Sequence, residues 1–456
     1  MSSRLDLIIR NGSVVTPESV KVSDVGILGD HIVKVAPNID DAFVEEIDAT
    51  GLHVFPGVLD AHVHFNEPGR TDWEGLSTGS SALAAGGGTW FCDMPLNSNP
   101  PVIDAEHFAE KRRLAEQKSM VDFSLWGGLV PDNLDELDGL AEAGAIGLKA
   151  FMCGSGIDEF PGVTDAATLR AGMKRAAALG LLVAVHAEDD AMAQKLTAAA
   201  RGSGATDPRS WLTTRPIEVE LAAIRTATEL AGETGCALHI VHVSSTEGIS
   251  LIAAAKKRGV NVTAETCPHY LLLNEEDVVR QGAVAKCTPP LRPESQRLGL
   301  WGGLVGRDID TIGSDHSPAP PSMKTAKDFF AIWGGISGCQ HSFPLLISET
   351  LNGSFPATHA LSALSGFLAD NVARRFRLPR KGRLAEGFDA DFSLLDLNAP
   401  HELSNAALLY HHQQGPYHGR HSRVKVKRTV VRGRTVYSEG RIASGLPPGK
   451  FVQPSP

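Results

Sequence analysis

Between residues 54 and 313 the chain alternates short apolar runs with stretches of helical periodicity. This alternation constrains the fold more than any other feature, because strands separated by helices must pair in parallel. Eight runs read as strands, at residues 54–60, 89–93, 121–126, 147–152, 182–186, 237–242, 260–266 and 311–313. Helical stretches lie between them, among others at 132–143, 165–179, 218–232 and 247–257. Eight such units predict an α/β protein built on a (β/α)8 barrel, spanning residues 54–380. The ends read differently. Residues 5–53 hold short strands punctuated by Asn11-Gly12 and Gly29-Asp30, and short strands return within 382–397, 424–431 and 435–437. Residues 1–53 and 381–445 are therefore expected to pair into a small β-sandwich domain, with the barrel inserted between them and residues 446–456, rich in Pro and Gly, as a loose tail.

Composition narrows the function. The 43 Lys and Arg against 53 Asp and Glu give a net charge of −10, which argues against a nucleic-acid partner. The charge-free run at 76–92 is too rich in Gly, Ser and Thr to span a membrane, and Met1-Ser2-Ser3-Arg4-Leu5-Asp6 does not read as a signal peptide, so none is expected. Six scattered cysteines without a CxxC read as reduced, buried thiols. A cytoplasmic location is expected.

His62-Val63-His64 ends the first barrel strand. Side chains at i and i+2 face the same way, so both imidazoles would point into the barrel mouth, as metal ligands or as two polar strand residues. His186 ends the fifth strand, His242 the sixth, and Asp315 follows the eighth. Active sites of such barrels lie at these carboxyl ends. Lys149 sits inside the apolar strand Gly147-Leu148-Lys149-Ala150-Phe151-Met152. It either pairs with a carboxylate or, as a neutral amine, adds CO2 to become an anionic carbamate (N6-carboxylysine) whose oxygens can bridge two metals.

These residues, with Phe65-Asn66-Glu67-Pro68-Gly69-Arg70-Thr71, Asp93-Met94-Pro95-Leu96-Asn97-Ser98, Ala264-Glu265-Thr266-Cys267-Pro268-His269-Tyr270-Leu271, Lys286-Cys287-Thr288-Pro289-Pro290-Leu291-Arg292 and Trp333-Gly334-Gly335-Ile336-Ser337-Gly338, resemble the cyclic amidohydrolases of the amidohydrolase superfamily over essentially the whole chain. Within that group the chain is most similar to the branch that opens the ring of allantoin. Dihydroorotases typically carry an Arg where this chain has Asn66, and hydantoinases and dihydropyrimidinases a Tyr where it has Gly154. The alternatives are another cyclic amidase, or a non-catalytic scaffold homologue, a class that loses metal ligands retained here.

The resemblance implies two divalent ions, zinc by expectation, held by His62, His64, carboxylated Lys149, His186, His242 and Asp315. Asp315 would shuttle the proton from the attacking water to the leaving nitrogen. Backbone groups near Thr288 and Gly334 would grip the ring, and Asn97 would reach the ureido arm. Relatives imply a homotetramer. The histidines at 411, 412, 418 and 421 read as a surface loop, the basic residues of 374–383 as a solvated face, and Gly86-Gly87-Gly88 as a turn.

Overall fold

The computed structural model describes residues 4–354, 360–445 and 449–455. Eight parallel barrel strands run Val58–Val63, Gly88–Asp93, Asp122–Leu125 with its continuation Gly127–Gly128, Leu148–Phe151, Val183–His186, Leu238–Ile240, Val262–Thr266 and Thr311–Ile312. The ring closes where Val63 bridges His316 and the His64 N–H donates to the His316 carbonyl at 2.8 Å. Strands such as Val183–His186 are buried on both faces, which is why they read as continuous apolar runs rather than as alternating ones. Outside them, Ile217–Thr234 turns Val219, Ala223, Ile224, Ala227, Leu230 and Ala231 inward at helical spacing and stops at Gly235, whose φ of 71° suits glycine. Ala166–Ala178 starts where the Asp165 carboxylate accepts from the Thr168 N–H at 2.8 Å.

Both chain ends meet in one nine-stranded sheet, in which Leu5–Val15 pairs with His53–Pro56, and His53–Pro56 with Phe392–Asp396. The apolar run at 54–60, expected as a single strand, is thus two. His53–Pro56 belongs to the terminal sheet, and the barrel begins at Val58. The chain changes sheets at Gly57, where a Cβ would come within 2.1 Å of the Thr89 hydroxyl.

Two further expectations are corrected. The basic stretch is a solvated face only in part: Arg374, Arg377 and Arg380 are exposed, but the Lys381 ammonium, 1% exposed, lies 2.6, 2.9 and 2.6 Å from Asp122, Asp389 and Asp391. Asp122 opens the third barrel strand and Asp391 immediately precedes Phe392–Asp396, so this cluster is a charged seam between barrel and terminal sheet. The tail is not loose where it is described. The Phe123 N–H donates to the Lys450 carbonyl at 3.0 Å and the Val452 N–H to the Phe123 carbonyl at 2.7 Å, while Phe451 packs on Phe108 and Phe123. Residues 446–448 and 456 lie outside the described residues.

Among the described residues no helix is long and apolar enough to cross a membrane. All six cysteines are buried and unpaired.

Candidate active site

The strand ends at the barrel mouth carry the expected side chains into one small cavity of about 70 Å3. Its wall includes His62, His64, Lys149, His186, His242 and Asp315, together with Asn97, Thr288 and Gly334. The four imidazoles form a continuous run, with ring centroids 5.6 Å apart for His62–His64, 5.5 Å for His62–His242 and 4.6 Å for His186–His242.

One point of convergence is well defined. Asp315 Oδ1 lies 3.1 Å from His62 Nε2 and 3.2 Å from His64 Nε2. Burial would raise the Asp315 carboxyl, but the two imidazoles hold it well below the usual carboxylate range. Burial likewise opposes charge on His62, yet Asp315 and Glu265 carry its pKa up to about 9. Protons shared between imidazoles and a carboxylate mark a place where a cation can replace them. His62, His64 and Asp315 have ligand atoms close enough to hold one ion.

The other side of the cavity is short of partners. Lys149 Nζ is fully buried, 4.9 Å from the centre of the Phe151 ring, and no hydrogen-bond acceptor reaches it. Burial pushes its pKa down to about 8, well into the range where the neutral amine is accessible. His242 Nδ1 is also buried without a partner. The His186 Nε2–H donates to the Glu188 carboxylate at 2.7 Å, which leaves Nδ1 as its free ring nitrogen. Orphaned nitrogens lining a cavity opposite a carboxylate are the donor set a metal pair requires, so these residues fit the group.

Sequence reasoning missed the residues that aim these side chains. Glu265, at the penultimate position of the seventh strand, accepts from His62 Nδ1 at 2.7 Å and lies 3.4 Å from His239 Nε2. It reaches under the site because residue 313 is glycine, where a Cβ would approach Glu265 Oε2 to 2.7 Å. Asp60 accepts from the backbone N–H groups of Ser314, at 2.9 Å, and His62, at 3.3 Å, tying the first strand to the eighth. Glu188 couples His186 to Arg215, 3.0 Å away. Glu265 stood within a motif already singled out, but only its spatial neighbour, 203 residues earlier, reveals its task.

Four non-glycine residues at or beside the mouth hold left-handed backbone: Asn66 at φ 64°, Asn97 at 68°, His242 at 42° and Asp315 at 45°. Such strain concentrates where side chains must be aimed. Asn66 is wholly buried behind the site, with its Nδ2 3.4 Å from the Pro318 carbonyl, and does not line the cavity. Asn97 Nδ2 lies 3.4 Å from His64 Nδ1. The backbone at Gly334 faces open space, where a Cβ would meet nothing within 4 Å. Of the histidine-rich stretch, the His411 N–H donates to Glu74 at 3.0 Å and His412 Nε2 lies 2.8 Å from the Asp72 carbonyl, against a barrel loop.

A (β/α)8 barrel whose strand ends bring four imidazoles, a lysine and an aspartate to one cavity defines a hydrolase barrel of the metal-binding kind. The chain belongs to the amidohydrolase family, whose model matches residues 53–436. It is 50% identical over 450 residues to an allantoinase of Deinococcus radiodurans, covering 99% of both chains, and 49% identical to an allantoinase of Rubrobacter xylanophilus, covering 99% of this chain and 98% of that one. Among solved structures it superposes on an L-hydantoinase (dihydropyrimidinase) from Arthrobacter aurescens with a TM-score of 0.95 at 31% identity, over 98% of this chain and 100% of the other.

Proposed function

We propose that this chain is a hydrolase of cyclic amides that opens the hydantoin ring of allantoin to give allantoate. The observation that carries the reading is the single cavity whose wall unites six ligand-type residues with Asn97, Thr288 and Gly334. Near-full-length identity of 50% to an allantoinase supports the choice of ring.

In this reading His62, His64, Lys149, His186, His242 and Asp315 hold two divalent ions, zinc by expectation, with Lys149 as the carbamate. When bound, such a pair supplies an acidified water and polarises a carbonyl. The chain's own residues do the rest. Asp315 Oδ1 faces two imidazoles, leaving Oδ2 to take the proton from the attacking water and return it to the departing ring nitrogen. Glu265 fixes the His62 ring with Nε2 inward. Backbone groups at Thr288 and Gly334 orient the ring, and Asn97 reaches toward the ureido arm. A homotetramer in the cytoplasm is part of the same proposal.

The test is turnover of allantoin set beside hydantoin, dihydrouracil and dihydroorotate by the metal-replete enzyme. Allantoin is expected to be the best substrate by kcat/KM. Preference for hydantoin or dihydrouracil would reassign the chain to another cyclic amidase, and no turnover of any ring would make it a scaffold.

A further inference from the structure

Two lysines outside the metal-ligand set, Lys286 buried and Lys324 half-buried, converge on one wall of the cavity. Lys286, 4% exposed, directs Nζ at the carbonyls of Phe329 and Ile332, at 2.7 and 2.6 Å, with that of Phe330 at 3.4 Å. Lys324 directs Nζ at the carbonyls of Trp333 and Gly335, at 2.9 and 2.8 Å. The segment they grip has little regular structure beyond a single turn at Phe329–Ala331, so most of its carbonyls have no ladder partner. It carries Trp333, Gly334 and Gly335 into the cavity wall.

Lys286 acts on both sides of the cavity. It stands two residues before Thr288, and its own carbonyl accepts from the Gly335 N–H at 2.8 Å. One residue therefore ties the strip bearing Thr288 to the strip bearing Gly334. Burial pushes the Lys286 amine down to about 7, against which three facing carbonyl oxygens favour the ammonium. Such a contact does nothing for chemistry at the strand ends. Its effect is to fix the width between two strips that must close on a flat ring.

We infer that Lys286 and Lys324 are positioning residues that lock the 329–335 segment through its carbonyls and so set the separation of the two ring-binding strips. This rests on the reading that Thr288 and Gly334 face the substrate ring.

The experiment compares the metal-replete wild type with Lys286→Met and Lys324→Met by two measurements. Amide hydrogen exchange without substrate is expected to accelerate about tenfold or more within 329–335 and to stay unchanged in the barrel strands. Steady-state kinetics with allantoin are expected to show KM raised about tenfold or more, kcat moved less than KM, and bound metal equal to that of wild type. Unchanged exchange of the segment in both variants overturns the inference, as does acceleration spread equally through the barrel, which would make the lysines general supports. If Lys286→Met does not fold, Lys324→Met decides alone. A wild type inert toward allantoin would sink the functional reading, while the exchange data still decide whether the lysines hold the segment.

Discussion

The cavity has a floor and a wall, and they are built by different means. The floor consists of strand ends: His62, His64, Lys149, His186 and His242 hang on or just beyond parallel ladders, and carboxylates behind two of them, Glu265 and Glu188, fix the His62 and His186 rings. The wall consists of irregular chain, 286–288 and 329–335, held by lysine-to-carbonyl contacts. A ladder fixes a Cα to within the repeat of the sheet, as chemistry at a fixed point demands. Side-chain grips on loops can be altered without disturbing the barrel. In the proposed reading, reaction type belongs to the floor and choice of ring to the wall.

Damage to the floor should cost the most. Removing bound metal with a chelator, or His62→Ala, is expected to lower kcat by roughly a thousandfold or more, with recovery on metal addition only in the unmutated protein. Measuring kcat before and after dialysis checks this, and a chelated enzyme retaining full activity would break the comparison at its base. Lys149→Ala should follow closely, losing bound ions together with activity. Small carboxylic acids at high concentration should restore part of it by standing in for the carbamate. Intact mass under conditions that keep the labile adduct should show one added CO2 in wild type; an unmodified amine in a fully active, metal-replete enzyme refutes the carbamate.

Glu265→Gln tests the layer behind the floor. It keeps the shape but no longer compels His62 to present Nε2, and metal affinity should fall about 10- to 100-fold by competition with a chelating dye. Wall substitutions should be milder and differently distributed. Asn97→Ala, on the cavity wall beyond the strips 286–288 and 329–335, is expected to raise KM by about tenfold. A wall variant that released metal would erase the distinction between the two regions. Smallest of all in its effect on activity, Phe451→Ala should leave kcat alone and cost about 2 kcal/mol of stability in denaturant melts, since its ring is partly buried against Phe108 and Phe123.

The same contrast explains what could be read from the residues alone. Strand ends are legible because apolar runs, their spacing and the rule that barrels place chemistry at their carboxyl ends are all local or topological signals. His186 and Asp315 needed no partner to be noticed. Glu265, Glu188 and the two wall lysines were not legible as functional, because each acquires its role from a residue or carbonyl far off in the chain, and no periodicity records that meeting. The error at 54–60 has a related cause: Val54-Phe55-Pro56-Gly57-Val58 is one apolar run, and only the crowding of Gly57 against Thr89 shows that two sheets share it. Lys381 looked like one more cation in a basic stretch. Its burial follows from carboxylates on two separate elements, one of them Asp122 in the barrel.

The docking of residues 449–452 along the third barrel strand has a consequence for how the chain is made. Ser124 Oγ donates to the Val452 carbonyl across a separation of 328 residues, and Phe123 has both its N–H and its carbonyl engaged by the same late segment. During vectorial synthesis the early half of the barrel therefore emerges with this strand edge unsatisfied, and it waits for nearly the whole chain before that edge is covered. Non-local closure of this kind slows folding and lengthens the exposure of a hydrogen-bonding edge. Until residues 449–452 emerge, a nascent chain holds the strand ends of the floor with one barrel side still open, an interval in which a chaperone would have an edge to hold.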